Sequence, residues 1–159
     1  MKIIGIDPGS TRAGFGIIKF QKNNPLFLKG GIIKVTASEK NRRLVELERE
    51  FQKLIKHQKI EAAGIEKLYF VKNLKTGLEV AQARGVLLLC LSKKRVPIYE
   101  WTPTEIKQII TGNGSADKQS IEKMVKIILR IKEFRQPDDV FDALAIALVT
   151  GYHLSSRLK

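Results

Sequence analysis

Lys2-Ile3-Ile4-Gly5-Ile6-Asp7-Pro8-Gly9-Ser10-Thr11 is the stretch from which the fold is read. Its apolar run stops at Asp7, and Pro8-Gly9 behind it is a turn signal. A second strand is expected over Gly14 to Phe20, a turn at Asn23-Asn24-Pro25, and a third strand near Leu28 to Val35. Short turns between consecutive strands predict an antiparallel meander. The first strand would lie centrally in the sheet, with Asp7 at its end.

Beyond the meander the period changes. Leu44, Leu47, Phe51, Leu54 and Ile55 share one helical face. Ala62 to Ile65 is a short apolar strand ending at Glu66, and a long helix is expected from about Leu74 to Lys93. The small residues Ala81, Ala83 and Gly85 would let another element approach that helix closely. Val96 to Trp101 is a fifth strand. Thr102-Pro103-Thr104-Glu105 is a helix start with a capping box and proline in the first turn. Ile121, Met124, Val125, Ile128 and Leu129 stripe a further helix. The last helix runs from about Asp139 to Leu154, capped by Asp138 and apolar all round over Ala143 to Val149, hence buried. A hairpin meander joined to a βαβαβ unit gives an α/β fold, a mixed five-stranded sheet flanked by helices, in a single domain spanning 1–159.

Charge narrows the choice of partner. Lys and Arg number 29 against 16 acids, a formal net charge of +13. So large an excess in a small domain points to a polyanion, nucleic acid before an anionic membrane surface. Cys90 is the one cysteine, so no intrachain disulfide can form, and its apolar neighbours predict a buried thiol. Asp7 interrupts the N-terminal apolar run too early for a signal peptide, and no run approaches the roughly 20 residues of a membrane helix. A cytoplasmic location without membrane contact is expected.

Against this basic background four acids stand out. Asp7 and Glu66 end strands, and Asp139 and Asp142 open a buried helix three residues apart, on one face. Carboxylates beside an apolar core are costly unless a cation meets them. Four hard oxygen donors suit Mg²⁺, with Mn²⁺ as a substitute, better than zinc. Two such ions would support in-line attack on a phosphodiester, one activating water and the other stabilising the leaving oxygen. Taken singly, each acid also has a plain structural explanation as a turn, a cap or a solvated strand end.

The motifs in order resemble those of the RuvC-type crossover junction endodeoxyribonucleases, within the ribonuclease H-like superfamily. Ile4 to Thr11 looks like the first family motif, Ile65-Glu66 with Tyr69-Phe70 the second, Ala81-Gln82-Ala83-Arg84-Gly85-Val86 the helix segment, and Val140 to Ala147 the last. The resemblance implies that Asp7, Glu66, Asp139 and Asp142 are the catalytic, metal-holding positions. It implies a homodimer that nicks four-way junction DNA in paired, symmetric fashion, in recombination and repair, alongside a branch-migration motor complex. Val140-Phe141 departs from the smaller residues usual there, so Phe141 would crowd the rim of the site or pack in the core.

DNA contacts are expected at Tyr69, by stacking on a junction base, with Phe70 buried behind it. Lys72, Asn73 and Lys75 form a polar, basic loop, and Lys107 and Lys118 match basic family positions near the scissile strand. Lys118 follows a loop, Gly112-Asn113-Gly114-Ser115, that reads as flexible. The helix from Leu78 to Leu91 is the candidate dimer surface. The general base is left open between water, Asp139 and a lysine such as Lys118. Three other readings compete: an actin-like ATPase or sugar kinase, for which the chain is short; a related nuclease acting on other structured DNA or RNA; and a junction binder without activity.

Overall fold

The computed structural model describes residues 1–21, 24–68 and 74–157, the side chains at 74 and 75 excepted. Its elements are β1 (Lys2–Asp7), β2 (Arg12–Gln21), β3 (Asn24–Lys34), α1 (Lys40–Ile55), β4 (Ala62–Glu66), α2 (Leu74–Lys93), β5 (Ile98–Trp101), α3 (Pro103–Thr111), α4 (Lys118–Leu129) and α5 (Asp138–Ser156). The sheet order is β3-β2-β1-β4-β5. β1 pairs antiparallel with β2 and parallel with β4; β2–β3 is antiparallel and β4–β5 parallel. This is the expected mixed sheet, with β1 at its centre.

Two cores lie on the two sheet faces. Ile4, Ile6, Ala63 and Ile65 pack with Leu47 and Phe51 of α1 and Leu87 and Leu91 of α2. Ile3 and Ala62 pack with α3, α4 and α5. Strand alternation then fixes the direction of the acids. Ile3, Gly5 and Asp7 share one face of β1, and Ala62, Gly64 and Glu66 share the same face of β4. Both carboxylates therefore leave the sheet on the side of α5.

α5 lies directly on the strands. A Cβ at Gly5 would overlap the carbonyl oxygen of Ala143, one at Gly14 that of Asp139, and one at Gly64 the hydroxyl of Thr150. Glycine inside a strand marks such close backbone approach. Along α2, Ala83 is buried and Gly85 faces open space. Between Val140 and Gly151 every residue of α5 is buried except Asp142, in keeping with its all-apolar surface.

Several boundaries move. Asn24 and Pro25 pair with Gln21 and Phe20, so they begin β3 and are not part of the turn. β5 begins at Ile98, after Arg95 in a left-handed conformation (φ 56°). The capping box of α3 is present: Glu105 N–H donates to Thr102 Oγ1 at 3.1 Å, and Thr102 N–H to Glu105 Oε2 at 2.8 Å. Asp138 is not the cap of α5. Pro137 holds that position, and Asp138 is the first helical residue, where its charge complements the helix dipole. Phe141 packs in the core, 2% exposed, edge-on to Phe134 with Lys126 over its ring, and so does not crowd the rim.

Candidate active site

Asp7 and Glu66 end neighbouring parallel strands, and the first turns of α5 carry Asp139 and Asp142 down onto them. Asp7, Glu66 and Asp142 line one cleft of about 320 Å³, together with Lys107 of α3 and Lys118 of α4, over an apolar floor of Ile106 and Ile146. Asp139 is turned aside: its Oδ2 lies 2.6 Å from Arg12 Nε. Lys118 Nζ stands between Asp142 Oδ2 (3.6 Å) and Asp138 Oδ2 (3.7 Å). The structure thus brings together six residues expected from sequence: Asp7, Glu66, Asp139, Asp142, Lys107 and Lys118. Tyr69, Lys72 and Asn73 lie outside the described residues, as does the side chain of Lys75.

Too few cations meet these acids. Burial pushes the Asp7 carboxyl up to about 8, with the charges of Asp142, Glu66 and Asp139 adding to it and Lys118 opposing. Burial and then Asp142 raise Glu66, against Lys118 and Lys107. Asp142 is raised by burial, against the pull of Lys118. Asp139 Oδ2 is buried and accepts no aligned hydrogen bond, although Arg12 is near it. Among the described residues no three His, Cys, Asp or Glu side chains are grouped closely enough to hold a metal ion as they stand. Crowded, desolvated carboxylates with few cations among them are nevertheless the kind of donor a hard divalent cation satisfies.

A pH effect follows from Asp7. Its folded carboxyl is raised from 3.8 to about 8, so the metal-free folded protein binds the extra proton between those values. Stability therefore falls as pH rises through that window. Asp7→Asn, which cannot ionise, should melt above wild type in EDTA, with the gap widening by several degrees from about pH 5 to about pH 8. Thermal melts across that range check this; a gap that does not change with pH would show that Asp7 carries no such burden.

Two residues of the site were not expected from sequence. Arg84 of α2, with its side chain 13% exposed, reaches the end of β4: its Nε donates to the Glu66 carbonyl at 3.1 Å, and Nη2 lies 2.7 Å from Glu100 Oε2. Arg12 is the other. It lies two residues before Gly14, on the strand face that Gly14 turns to Asp139. One expectation also changes at α4, whose Asp117 cap accepts the Ser120 N–H at Oδ1 (2.8 Å). The loop before it is pinned: Gly114 N–H donates to Gln108 Oε1 (3.0 Å), Ser115 N–H to Asn113 Oδ1 (2.9 Å), and Asn113 N–H to Thr111 Oγ1 (3.1 Å).

A central strand and its parallel neighbour, each ending in a carboxylate beneath the start of a buried helix that adds two more, define a protein of the ribonuclease H-like class. The sequence profile of the family "Crossover junction endodeoxyribonuclease RuvC" matches residues 3–150, and the chain belongs to that family. It is 41% identical over 152 residues to the crossover junction endodeoxyribonuclease RuvC of Petrotoga mobilis, covering 95% of this chain and 93% of that one. Its likeness to the Thermosipho melanesiensis protein of the same description is 43% over 149 residues, 92% and 94% covered. Among solved structures, Thermus thermophilus RuvC in complex with Holliday junction substrate superposes with a TM-score of 0.91 at 29% identity, covering 99% of this chain and 96% of that one. The yeast mitochondrial Holliday junction resolvase Ydc2 shares the fold, with a TM-score of 0.69 at 14% identity, 97% and 82% covered. The ATPase and sugar-kinase reading falls with this assignment.

Proposed function

We propose that this chain resolves four-way DNA junctions, cutting two strands symmetrically as a homodimer in homologous recombination and repair. The observation that carries the reading is the gathering of four carboxylates and two lysines at one end of a sheet whose fold matches a junction-bound relative. Asp7, Glu66, Asp139 and Asp142 would hold two Mg²⁺ ions, or Mn²⁺ in their place. Those ions would supply an activated water at neutral pH and charge neutralisation at the phosphate.

The chain's own groups do the rest. Lys118 and Lys107 face the same cleft as the acids, so a backbone phosphate entering it meets two ammonium groups. Ile106 and Ile146 make one side of the cleft apolar, and a charge contact against such a low-dielectric surface is stronger than one in water. Arg84 fixes the peptide that presents Glu66. Tyr69 is proposed to stack on an unpaired junction base, with Lys72, Asn73 and Lys75 on the phosphates beside it; the motif resemblance supports these assignments.

Dimerisation is proposed through α2. Leu78 (57% exposed), Gln82, Gly85 and Leu89 (52% exposed) follow one another at helical spacing on its outer face, and Gly85 leaves open space above the backbone. Leu89→Glu should convert a dimer to monomer in sedimentation velocity and abolish paired nicking. A dimer that persists would move the interface elsewhere. No helix among the described residues is long and apolar enough to cross a membrane. A cytoplasmic location and a branch-migration partner belong to the same proposal, resting on the family.

The test is a labelled synthetic four-way junction incubated with the protein and Mg²⁺, Mn²⁺ or EDTA, beside a linear duplex of the same sequence. Metal-dependent, symmetric nicks confined to the junction are expected. Cutting of structured RNA in preference to the junction would overturn the substrate assignment. Junction binding should weaken steeply with added salt, as phosphate-dominated binding does.

A further inference from the structure

We infer that Arg12 is a resident counter-cation of the acid cluster, competing with a divalent metal ion for Asp139. The inference rests on the metal reading above and goes beyond it, since it predicts how tightly this particular chain holds the ion. Its basis is a contact: Arg12 Nε lies 2.6 Å from Asp139 Oδ2, closer than Lys118 comes to either of its acids at 3.6 and 3.7 Å.

The fold explains why the arginine is there. The chain turns back after Asp7, β2 begins at Arg12, and two residues on Gly14 lies directly beneath the Asp139 peptide. Residues two apart on a strand share a face. Arg12 therefore points at the same helical turn that Gly14 touches, and reaches the carboxylate one side chain above it.

The geometry also explains the competition. A carboxylate oxygen that coordinates Mg²⁺ or Mn²⁺ does so at about 2.0–2.2 Å. Oδ2 is buried and faces the guanidinium, so an ion that takes this oxygen must draw it away from Arg12. Arg12 can leave by moving: its side chain is 57% exposed against 17% for Asp139. An ion bound at Asp139 thus displaces Arg12 toward solvent, and its affinity is reduced by the pair that must break.

Arg12→Gln then has two effects of opposite sign. Without metal the acid cluster loses a counter-charge, so the variant should melt below wild type in EDTA. With metal the competitor is gone, so the Mn²⁺ dissociation constant should tighten roughly three- to tenfold, measured by calorimetric titration without DNA. Arg12→Lys keeps the charge and should stay near wild type. In an Asp139→Asn background, Arg12→Gln should leave Mn²⁺ affinity unchanged, because the contested oxygen is no longer anionic. An ion pair of merely structural value would lower melting equally with and without metal and leave affinity alone. Unchanged or weaker Mn²⁺ binding by Arg12→Gln overturns the inference. Absence of any Mn²⁺ binding by wild type overturns the metal reading, and this inference with it.

Discussion

Asp7→Asn is expected to abolish cleavage of a four-way junction while junction binding survives. Asp7 sits at the end of the central strand, feels Glu66, Asp139 and Asp142 together, and lines the cleft with both lysines. An amide cannot replace its charge. Removing one preorganised group that stabilises developing charge costs about 10²–10³ in rate. Loss of a carboxylate shared by the whole cluster should reach at least the upper end of that range. Binding should hold or tighten slightly, because the substitution removes a negative charge from a cleft that receives phosphate. Single-turnover cleavage and a gel-shift titration on the same junction separate the two effects. Wild-type cleavage by this variant would remove the central claim of the mechanism.

The second large effect is on folding. Gly5→Ala should lower the melting temperature by roughly 10 °C, from an overpacking cost of about 3 kcal/mol or more. The added methyl would overlap the Ala143 carbonyl oxygen and press on the Ala147 N–H. Both are backbone atoms of a helix buried on every side, so neither can give way. Gly77→Ala is the control. The same methyl there meets nothing within 4 Å, and in a helix it should be neutral or stabilising by up to about 1 kcal/mol. Thermal melts in EDTA read both variants. Equal behaviour of the two would mean that α5 stands further from the sheet than described.

Much of this molecule was legible in its sequence because its signals are strong and local. The apolar run to Asp7, the Thr102 capping box and the all-apolar α5 each have one physical explanation, and the five-stranded mixed sheet follows from their order. The four acids were legible because carboxylates flanking apolar runs are anomalous. What escaped was set by tertiary contact. Nothing in the spacing of Arg12 or Arg84 says which carboxylate or carbonyl each will reach. Asp138 was misread because Pro137 holds the cap position, and a proline's fixed φ suits an entry that an aspartate side chain would otherwise secure. The close approach of α5 to the strand glycines escaped for the same reason, since nothing in their spacing names the helix that will lie on them.

That close approach has a consequence for how the chain can drift. Most binding sites are spaced by side chains, and each neutral exchange in the packing layer shifts them a little. Here peptide rests on peptide at Gly5 and Gly14, so the gap between the strand acids and the helix acids is a sum of backbone radii. A gauge built that way does not change when leucine becomes isoleucine elsewhere. Substitutions on the outer faces of the helices therefore leave the spacing between the strand acids and the helix acids unchanged.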